Sequence, residues 1–177
     1  MGHLFEPAAS GRSKCRACGA TLRRGELRFG ERLPNLFGEG EMSLWFHPRC
    51  AAYKRPQSFL EALADAALEI PERAALERVA REGAAHRRLP RIDGAERAPS
   101  GQARCRQCRE PIERDGWRIR VVFYEEGRFF PGGFVHLKCR RPYFEVDDVL
   151  ERLLALSPAL AAHERADLAQ AHAHDSR

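Results

Sequence analysis

A set of four residues that can bind a metal occurs twice in this chain, and it limits the possible folds more than any other feature. The two sets are Cys15, Cys18, His47 and Cys50, and Cys105, Cys108, His136 and Cys139. They read C-x2-C-x28-H-x2-C and C-x2-C-x27-H-x2-C, and together they use all six cysteines. Three thiolates and one imidazole form a tetrahedral donor set that suits zinc and leaves no open coordination position. The sequence therefore predicts two structural Zn²⁺ ions and argues against metal-assisted hydrolysis.

Six cysteines are also compatible with three disulfides in a secreted protein. The opening MGHLFEPAAS lacks the charged and apolar regions of a signal peptide, and no run approaches 18 consecutive apolar residues. The pattern favours thiols bound to metal in a reducing compartment and predicts no membrane partner. We expect a cytoplasmic or nucleoid protein if the source is bacterial, and a nuclear one if it is eukaryotic. A redox role for the CxxC pairs is disfavoured, because each pair comes with a matched His-x2-Cys.

The ligand repeat belongs to a longer repeat in which residues 11–30 align without a gap on residues 101–120. Both segments contain an apolar-Arg-apolar triplet, Leu27-Arg28-Phe29 and Trp117-Arg118-Ile119, that predicts a strand with the arginine on the opposite face. Helical periodicity interrupted by proline follows the last ligand of each set. We therefore expect an α+β fold with two tandem small zinc-stabilised domains. Each would be a short antiparallel β-sheet pinned by a Cys3His site and followed by two helices.

The expected domains are residues 1–85 and 101–177, and the polar stretch 86–100, with two prolines and a glycine, is expected to be a linker. Ser58, three residues before Glu61, predicts a capping box at the start of a helix. Pro71 is expected to open the next helix at its first position. In the second half, Ser157-Pro158 is expected to open the last helix.

Positive charge is concentrated around the two ligand sets. The chain has a net charge of +5, but residues 11–56 contain ten Lys or Arg against four Asp or Glu. Residues 101–143 contain ten against five, whereas residues 144–177 contain three against seven. This distribution is typical of a surface that binds a polyanion. The alternative is ordinary solvation of small domains by arginine.

These motifs resemble the poly(ADP-ribose) polymerase-type zinc finger, with C-x2-C, a long spacer and H-x2-C. The first half carries the resemblance in Ser10-Gly11-Arg12, in the segment Gly25 to Phe29 and in Trp45-Phe46-His47. The second half departs from it at Gln102, where the family-like arginine is missing, and at Phe134-Val135, where the aromatic pair is reduced. The resemblance implies two DNA-binding fingers that recognise strand breaks, nicks or ends by structure rather than by sequence.

The resemblance further implies that Arg12, Arg28 and Arg118 contact DNA phosphates, for which a guanidinium on a rigid strand is well suited. Other basic residues beside the first ligands are further candidates: Lys14, Arg16, Arg104 and Arg106. Apolar residues at two loop tips are candidates to stack on bases exposed at a break: Leu36, Phe37, Phe129 and Phe130. Strand alternation would send only one of the two adjacent phenylalanines outward. Packing into the domain's own core is the alternative for these apolar residues.

The sequence therefore favours a zinc-dependent DNA-binding protein without catalytic activity, acting as a sensor or recruitment module for a separate repair enzyme. The remaining histidines and carboxylates form no recognisable catalytic constellation, so no small-molecule substrate is expected. Two alternatives stay open. One is a zinc-stabilised protein–protein adaptor that uses the acidic helical faces, and the other is a binder of structured RNA that uses the same arginines.

Overall fold

The computed structural model describes residues 2–35 and 38–175. The fold is α+β, as predicted, with two three-stranded antiparallel sheets and helices that follow each sheet along the chain. The chain divides into two compact units. The first comprises Met1–Pro90 with Glu125–Arg128, and the second comprises Arg91–Tyr124 with Phe129–Arg177.

The first unit is built on a sheet whose central strand is β2. Its elements are β1 (Leu4–Pro7), β2 (Leu27–Pro34), β3 (Glu41–Phe46), α1 (Pro48–Lys54), α2 (Pro56–Ala64) and α3 (Arg73–Ala85). Four phenylalanines form the core between the sheet and α2, with neighbouring ring centroids 5.3–6.1 Å apart: Phe5, Phe29, Phe46 and Phe59. Such tilted and edge-on rings add to the stabilisation from burial alone. Each of the three strands and α2 therefore contributes one aromatic ring to the core.

The second unit repeats this plan. Its elements are β4 (Ile92–Arg97), β5 (Trp117–Glu125), β6 (Arg128–His136), α4 (Arg140–Phe144), α5 (Leu150–Ala155) and α6 (Ala162–His174). Glu96 lies opposite Arg118 on β5, just as Glu6 lies opposite Arg28 on β2. Both pairs are related by the same shift of 90 residues that relates the first cysteines. The repeat therefore includes a first strand in each unit, β1 and β4, that the sequence analysis did not predict.

The stretch 86–100 does not behave as the linker that the sequence predicted, because it contains strand β4. Ile92, Ala95 and Ala98 are buried, and a register irregularity between Ile92 and Ala95 keeps both on the core side. Gly94 has a φ of +98°, and a side chain there would meet the Leu156 carbonyl oxygen at 2.5 Å. The strand was not predicted because polar residues dominate this stretch, and its few apolar residues all face the core.

The start of α2 also differs from the prediction, which placed a capping box at Ser58. Its hydroxyl lies inside α2 rather than at its start, and it donates to the buried Glu31 carboxylate at 2.7 Å. Arg55 Nε donates to the same carboxylate at 2.8 Å. A buried charge needs such hydrogen-bond partners, and Ser58 therefore stabilises the Glu31 carboxylate instead of capping the helix. The helix ends at Ala64, and the next one begins at Arg73, two residues after Pro71.

Ser157, expected to open the last helix, is buried beside β4. Its Oγ accepts a hydrogen bond from the Ala95 N–H at 2.8 Å, and the last helix begins later, at Ala162. Two short helices were not predicted: α1 begins directly after His47, and α4 begins directly after the 3-10 turn Leu137–Cys139. Among the described residues, no helix is long and apolar enough to cross a membrane.

Candidate metal centres and basic surface

The four predicted ligands of the first unit converge in space. One donor atom from each of Cys15, Cys18, His47 and Cys50 lies within 4.8 Å of all the others. His47 Nδ1 is 3.5 Å from Cys18 Sγ and 3.9 Å from Cys50 Sγ. Zinc bonds of ~2.3 Å to sulfur and ~2.0 Å to nitrogen at tetrahedral angles place the sulfur and the nitrogen about 3.5 Å apart. The donor set and its spacing fit a structural zinc ion.

The second set, Cys105, Cys108, His136 and Cys139, forms a matching centre. His136 Nδ1 is 3.3 Å from Cys108 Sγ and 3.8 Å from Cys139 Sγ. His136 Nε2 lies 3.1 Å from the Pro111 carbonyl oxygen. Because a carbonyl only accepts, Nε2 must carry the hydrogen, and the lone pair of Nδ1 then faces the thiols. The protein thus has two Cys3His centres, consistent with two structural zinc ions.

Two structural elements bring the ligands of each centre together. The C-x2-C pair lies in a tight turn closed by a backbone hydrogen bond, Gly19 N–H to Cys15 O at 2.8 Å and Arg109 N–H to Cys105 O at 2.9 Å. The histidine comes at the end of β3 or β6, and the last cysteine follows within one helical turn. Gly19 and Arg109 occupy the same left-handed position, with φ of 74° and 67°. In the second turn, an arginine therefore adopts a backbone conformation that favours glycine.

The thiols of each centre have very different proton affinities. Contact with the Cys50 thiol lowers the pKa of Cys15 to about 4, against the effect of its burial, and the same contact raises the pKa of Cys50. Burial raises the pKa of Cys105, but backbone N–H groups, including that of His136, outweigh it and lower the value to about 7. Burial and the charge on Cys105 raise the pKa of Cys139 to about 12. Three thiolates at one centre therefore need a bound cation, and acid will compete with that cation.

The two strand arginines do not project freely, contrary to the sequence interpretation. Arg28 is 7% exposed, and its Nη2 lies 2.5 Å from the Glu6 carboxylate. Its guanidinium carbon lies 3.5 Å from the centre of the Trp45 ring, and Nη1 donates to Ser13 Oγ at 3.0 Å. A cross-strand carboxylate and a ring on the same face of the sheet cover the charge. Contact between Arg28 and a phosphate stays a prediction.

Arg118 is held in the same way in the second unit. It is 6% exposed, with Nη2 2.5 Å from Glu96 and the guanidinium carbon 3.5 Å from the centre of the Phe134 ring. Arg120 also reaches Glu96, at 3.1 Å. We call each arrangement an arginine clamp: Glu6–Arg28–Trp45 in the first unit and Glu96–Arg118–Phe134 in the second. A phosphate contact by Arg118 likewise stays a prediction.

The other predicted phosphate ligands lie at the surface: Arg12, Lys14, Arg16, Arg104 and Arg106. Two of them also make local hydrogen bonds. Arg104 Nη1 donates to the Arg109 carbonyl at 3.2 Å, and Arg106 Nη1 donates to the Gly132 carbonyl at 2.7 Å. Arg104 precedes the turn that Cys105 and Cys108 pin, Arg106 lies inside it, and both side chains are exposed at the surface.

The predicted stacking residues divide into three cases. Leu36 and Phe37 lie outside the described residues. Phe130 is 45% exposed, whereas the ring of Phe129 packs against that of Tyr124, with centroids 4.8 Å apart. Of the two adjacent phenylalanines, one therefore points outward, as strand alternation requires.

The carboxylates of both arginine clamps were not predicted from the sequence. Glu6 and Glu96 lie outside the segments that were aligned, yet a gapless extension of the repeat pairs them. The same extension pairs Ala8 with Ala98 and Ser10 with Ser100. Extending the alignment by seven residues towards the N-terminus would have found the first strands and their acidic residues.

Comparison with known proteins gives a partial match. No family model matches the sequence. The chain is 26% identical over 157 residues to a poly(ADP-ribose) polymerase of Drosophila melanogaster and 28% identical over 155 residues to one of Sarcophaga peregrina, covering 78% and 76% of this chain. A stretch of 50 residues, 28% of this chain, is 38% identical to poly(ADP-ribose) polymerase 1 of Caenorhabditis elegans. The chain spans about one sixth of the two fly proteins (16%), and the match to the nematode protein spans 5% of it.

Proposed function

We propose that this chain is a zinc-dependent DNA-binding protein that recognises strand breaks, nicks or ends by their structure. The observation that carries the proposal is that both Cys3His centres have exposed basic residues on, or just before, the turn that holds their first two cysteines. In the first unit these include Arg12 and Arg16, and in the second Arg104 and Arg106. A turn pinned by metal holds these charges in place, so little conformational freedom is lost when they bind phosphates.

The same arrangement accounts for recognition that is independent of base sequence. Contacts to phosphates fix the position of a protein on DNA but carry no sequence information. Discrimination of a break then requires a group that contacts base faces, which an intact duplex hides. The exposed ring of Phe130 can stack on such a base at roughly 1–3 kcal/mol. Leu36 and Phe37 are proposed for the same role in the first unit.

We further propose that the chain is not itself a catalyst and that it recruits a separate repair enzyme to the lesion. The similarity to poly(ADP-ribose) polymerases covers 16% of the two fly proteins and supports a binding role rather than a catalytic one. The relatives come from flies and a nematode, which favours the nucleus over a bacterial nucleoid as the place of action. No small-molecule substrate is proposed.

The proposal is tested by fluorescence anisotropy of the zinc-loaded chain on four DNAs of one sequence: nicked, gapped, blunt-ended and sealed as a dumbbell. Each is titrated at several salt concentrations, because affinity for DNA depends on salt. We expect tighter binding to the three broken DNAs than to the dumbbell, and loss of that preference when zinc is chelated. Equal affinity for all four would overturn break recognition and favour the adaptor. An RNA hairpin that competes better than nicked DNA would favour the RNA-binding alternative.

A further inference from the structure

Three separate segments of the second unit meet at the ring of Phe123. The guanidinium carbon of Arg91 lies 4.8 Å from the ring centre, and that of Arg106 lies 5.1 Å from it. Arg91 ends a short 3-10 turn before β4, Phe123 lies on β5, and Arg106 lies between the ligands Cys105 and Cys108. Two cations thus share one aromatic ring beside a metal centre.

The positions of the ring and of Arg106 are fixed by β6. A side chain at Gly132 would come within 2.6 Å of the Phe123 ring, so the ring requires a glycine beneath it. Arg106 Nη1 donates to the Gly132 carbonyl at 2.7 Å, and its backbone N–H donates to the Phe134 carbonyl at 2.8 Å. The arginine is therefore held in this place before any ligand arrives.

The charges of these two arginines are not neutralised by carboxylates. Among the described residues, neither Arg91 nor Arg106 forms an ion pair, whereas Arg118 and Arg120 share Glu96. Two cations on one ring repel each other, and an anion bound by both would remove that repulsion. A guanidinium stacked on a ring keeps its N–H edge available for the oxygens of a phosphate.

We propose that Arg91, Phe123 and Arg106 form a phosphate site of the second unit, and that its ligand is the DNA phosphodiester backbone. This inference rests on the proposed function. It names a contact in the second unit that has no counterpart in the first unit. The positions that correspond to Phe123 and Arg106 in the first unit are Leu33 and Arg16, so no ring is present there. The second unit has Gln102 where the first has Arg12, and Arg91 supplies a cation from a different segment.

The test is the salt dependence of binding to nicked DNA for Arg91→Ala and Arg106→Ala. Each variant is expected to weaken binding and to reduce the slope of log affinity against log salt by about 0.9, the value for one phosphate contact. The ratio of parent to variant affinity should then shrink by about 3.5-fold between 50 and 200 mM salt. Arg114→Ala, which removes an exposed arginine of the same unit, is the control for net charge and should keep the parent slope.

A second variant, Phe123→Leu, places the first unit's residue at the ring position while keeping both charges. It is expected to weaken binding with the slope retained, because the arginines lose their stacking surface but not their charge. Zinc content and thermal unfolding establish that each variant is folded. An unchanged slope in Arg91→Ala, or an equal loss in Arg114→Ala, would overturn the site. Tighter binding to duplex RNA of the same sequence would overturn DNA as its ligand.

Failure of this site and failure of the proposed function give different results. If the parent prefers broken DNA and Arg91→Ala binds like the parent, the proposed function stands and the site is overturned. If the parent binds nicked and sealed DNA equally while Arg91→Ala loses one phosphate contact, break recognition is overturned and the site stands.

Discussion

The two units share a metal centre and an arginine clamp but differ in the residues around them. In the first unit, the clamp reaches the segment before the first cysteine, because Arg28 donates to Ser13 between the exposed Arg12 and Lys14. In the second unit, Ala103 stands at the position of Ser13 and has no hydroxyl to accept such a bond. The difference indicates that zinc ligands and clamp form a common scaffold, while the surface that it carries has diverged.

The clamps themselves also differ in how the carboxylate is neutralised. Burial raises the pKa of Glu96, but hydrogen bonds from Arg118 and Arg120 outweigh it and hold the pKa below its usual range. Arg28 donates to Glu6 through Nε and Nη2, and Arg118 donates to Glu96 through the same two atoms, so the difference between the clamps is the additional Arg120. The second clamp thus has two cations for one carboxylate, and it should tolerate the loss of one of them better.

The largest expected effect is the unfolding of one unit alone when that unit cannot bind its metal. Cys15→Ser should unfold the first unit and Cys105→Ser the second, since zinc supplies folding free energy of about 10 kcal/mol or more at such sites. Each variant should bind one zinc ion per chain, measured by metal analysis, and should lose part of the circular dichroism signal. His174→Ala, at an exposed histidine outside both centres, is the control. Two zinc ions retained in Cys105→Ser would contradict the ligand assignment.

The next largest effect is the loss of unfolding free energy when the arginine of either clamp is removed. Arg28→Ala leaves Glu6 and Ser13 without their cation and should cost about 1–3 kcal/mol of unfolding free energy. Arg118→Ala should cost less, because Arg120 still reaches Glu96. Chemical denaturation of the zinc-loaded variants measures both values. A larger cost for Arg118→Ala than for Arg28→Ala would contradict the second cation's compensating role.

A smaller effect is expected at Ser13, which differs between the two segments that precede the first cysteine of each unit. Ser13→Ala removes one hydrogen bond to Arg28 and should cost about 0.5–1.5 kcal/mol. It should also weaken DNA binding, because Arg12 and Lys14 are then less firmly positioned. The reciprocal variant Ala103→Ser, combined with Gln102→Arg, should strengthen DNA binding by the second unit. Thermal unfolding measures the stability of both variants, and fluorescence anisotropy measures their affinity for DNA. Unchanged affinity in both variants would contradict a positioning role for Ser13.

The smallest expected effect is the contribution of His172 to the pH dependence of the second unit's stability. Burial and nearby Arg140 lower the pKa of His172, against the opposite effect of Asp148 and Asp147. The unfolded chain then binds more protons, so this stability is present above the unfolded pKa of about 6.5 and is lost as pH falls through the folded value. His172→Gln should flatten the decline of the melting temperature below pH 7. The exposed His174→Gln should leave it unchanged, and a parent-like decline in His172→Gln would exclude this histidine as its cause.

The metal centres and the fold class were predictable from sequence for a local reason. Cysteine and histidine are the ligands that zinc prefers, and the repeated spacing of C-x2-C and H-x2-C identified all eight before any contact was known. The helix boundaries were less predictable. Ser58 and Ser157 looked like capping residues, but each is used by a partner distant in sequence, Glu31 and Ala95.

The candidate binding surface was only partly predictable. The exposed positions of Arg12, Lys14, Arg16, Arg104 and Arg106 agree with a surface role, but Arg28 and Arg118 are buried. Nothing in the local sequence of either arginine shows that a glutamate lies opposite it on another strand. Similarly, the spacing of Arg91, Arg106 and Phe123 along the chain gives no sign that they share one ring contact.

The sequence by itself determined what each unit is built around, because metal ligands and apolar periodicity act through residue type and local spacing. The tertiary structure decided which charges remain available at the surface, because the environment of an arginine depends on what its neighbouring strands place beside it. Glu6 pairs with Arg28, and Glu96 pairs with both Arg118 and Arg120. Phe123 contacts two other arginines, Arg91 and Arg106, and within residues 2–35 and 38–175 no carboxylate forms an ion pair with either. Two copies of one pattern thereby acquire differently charged surfaces.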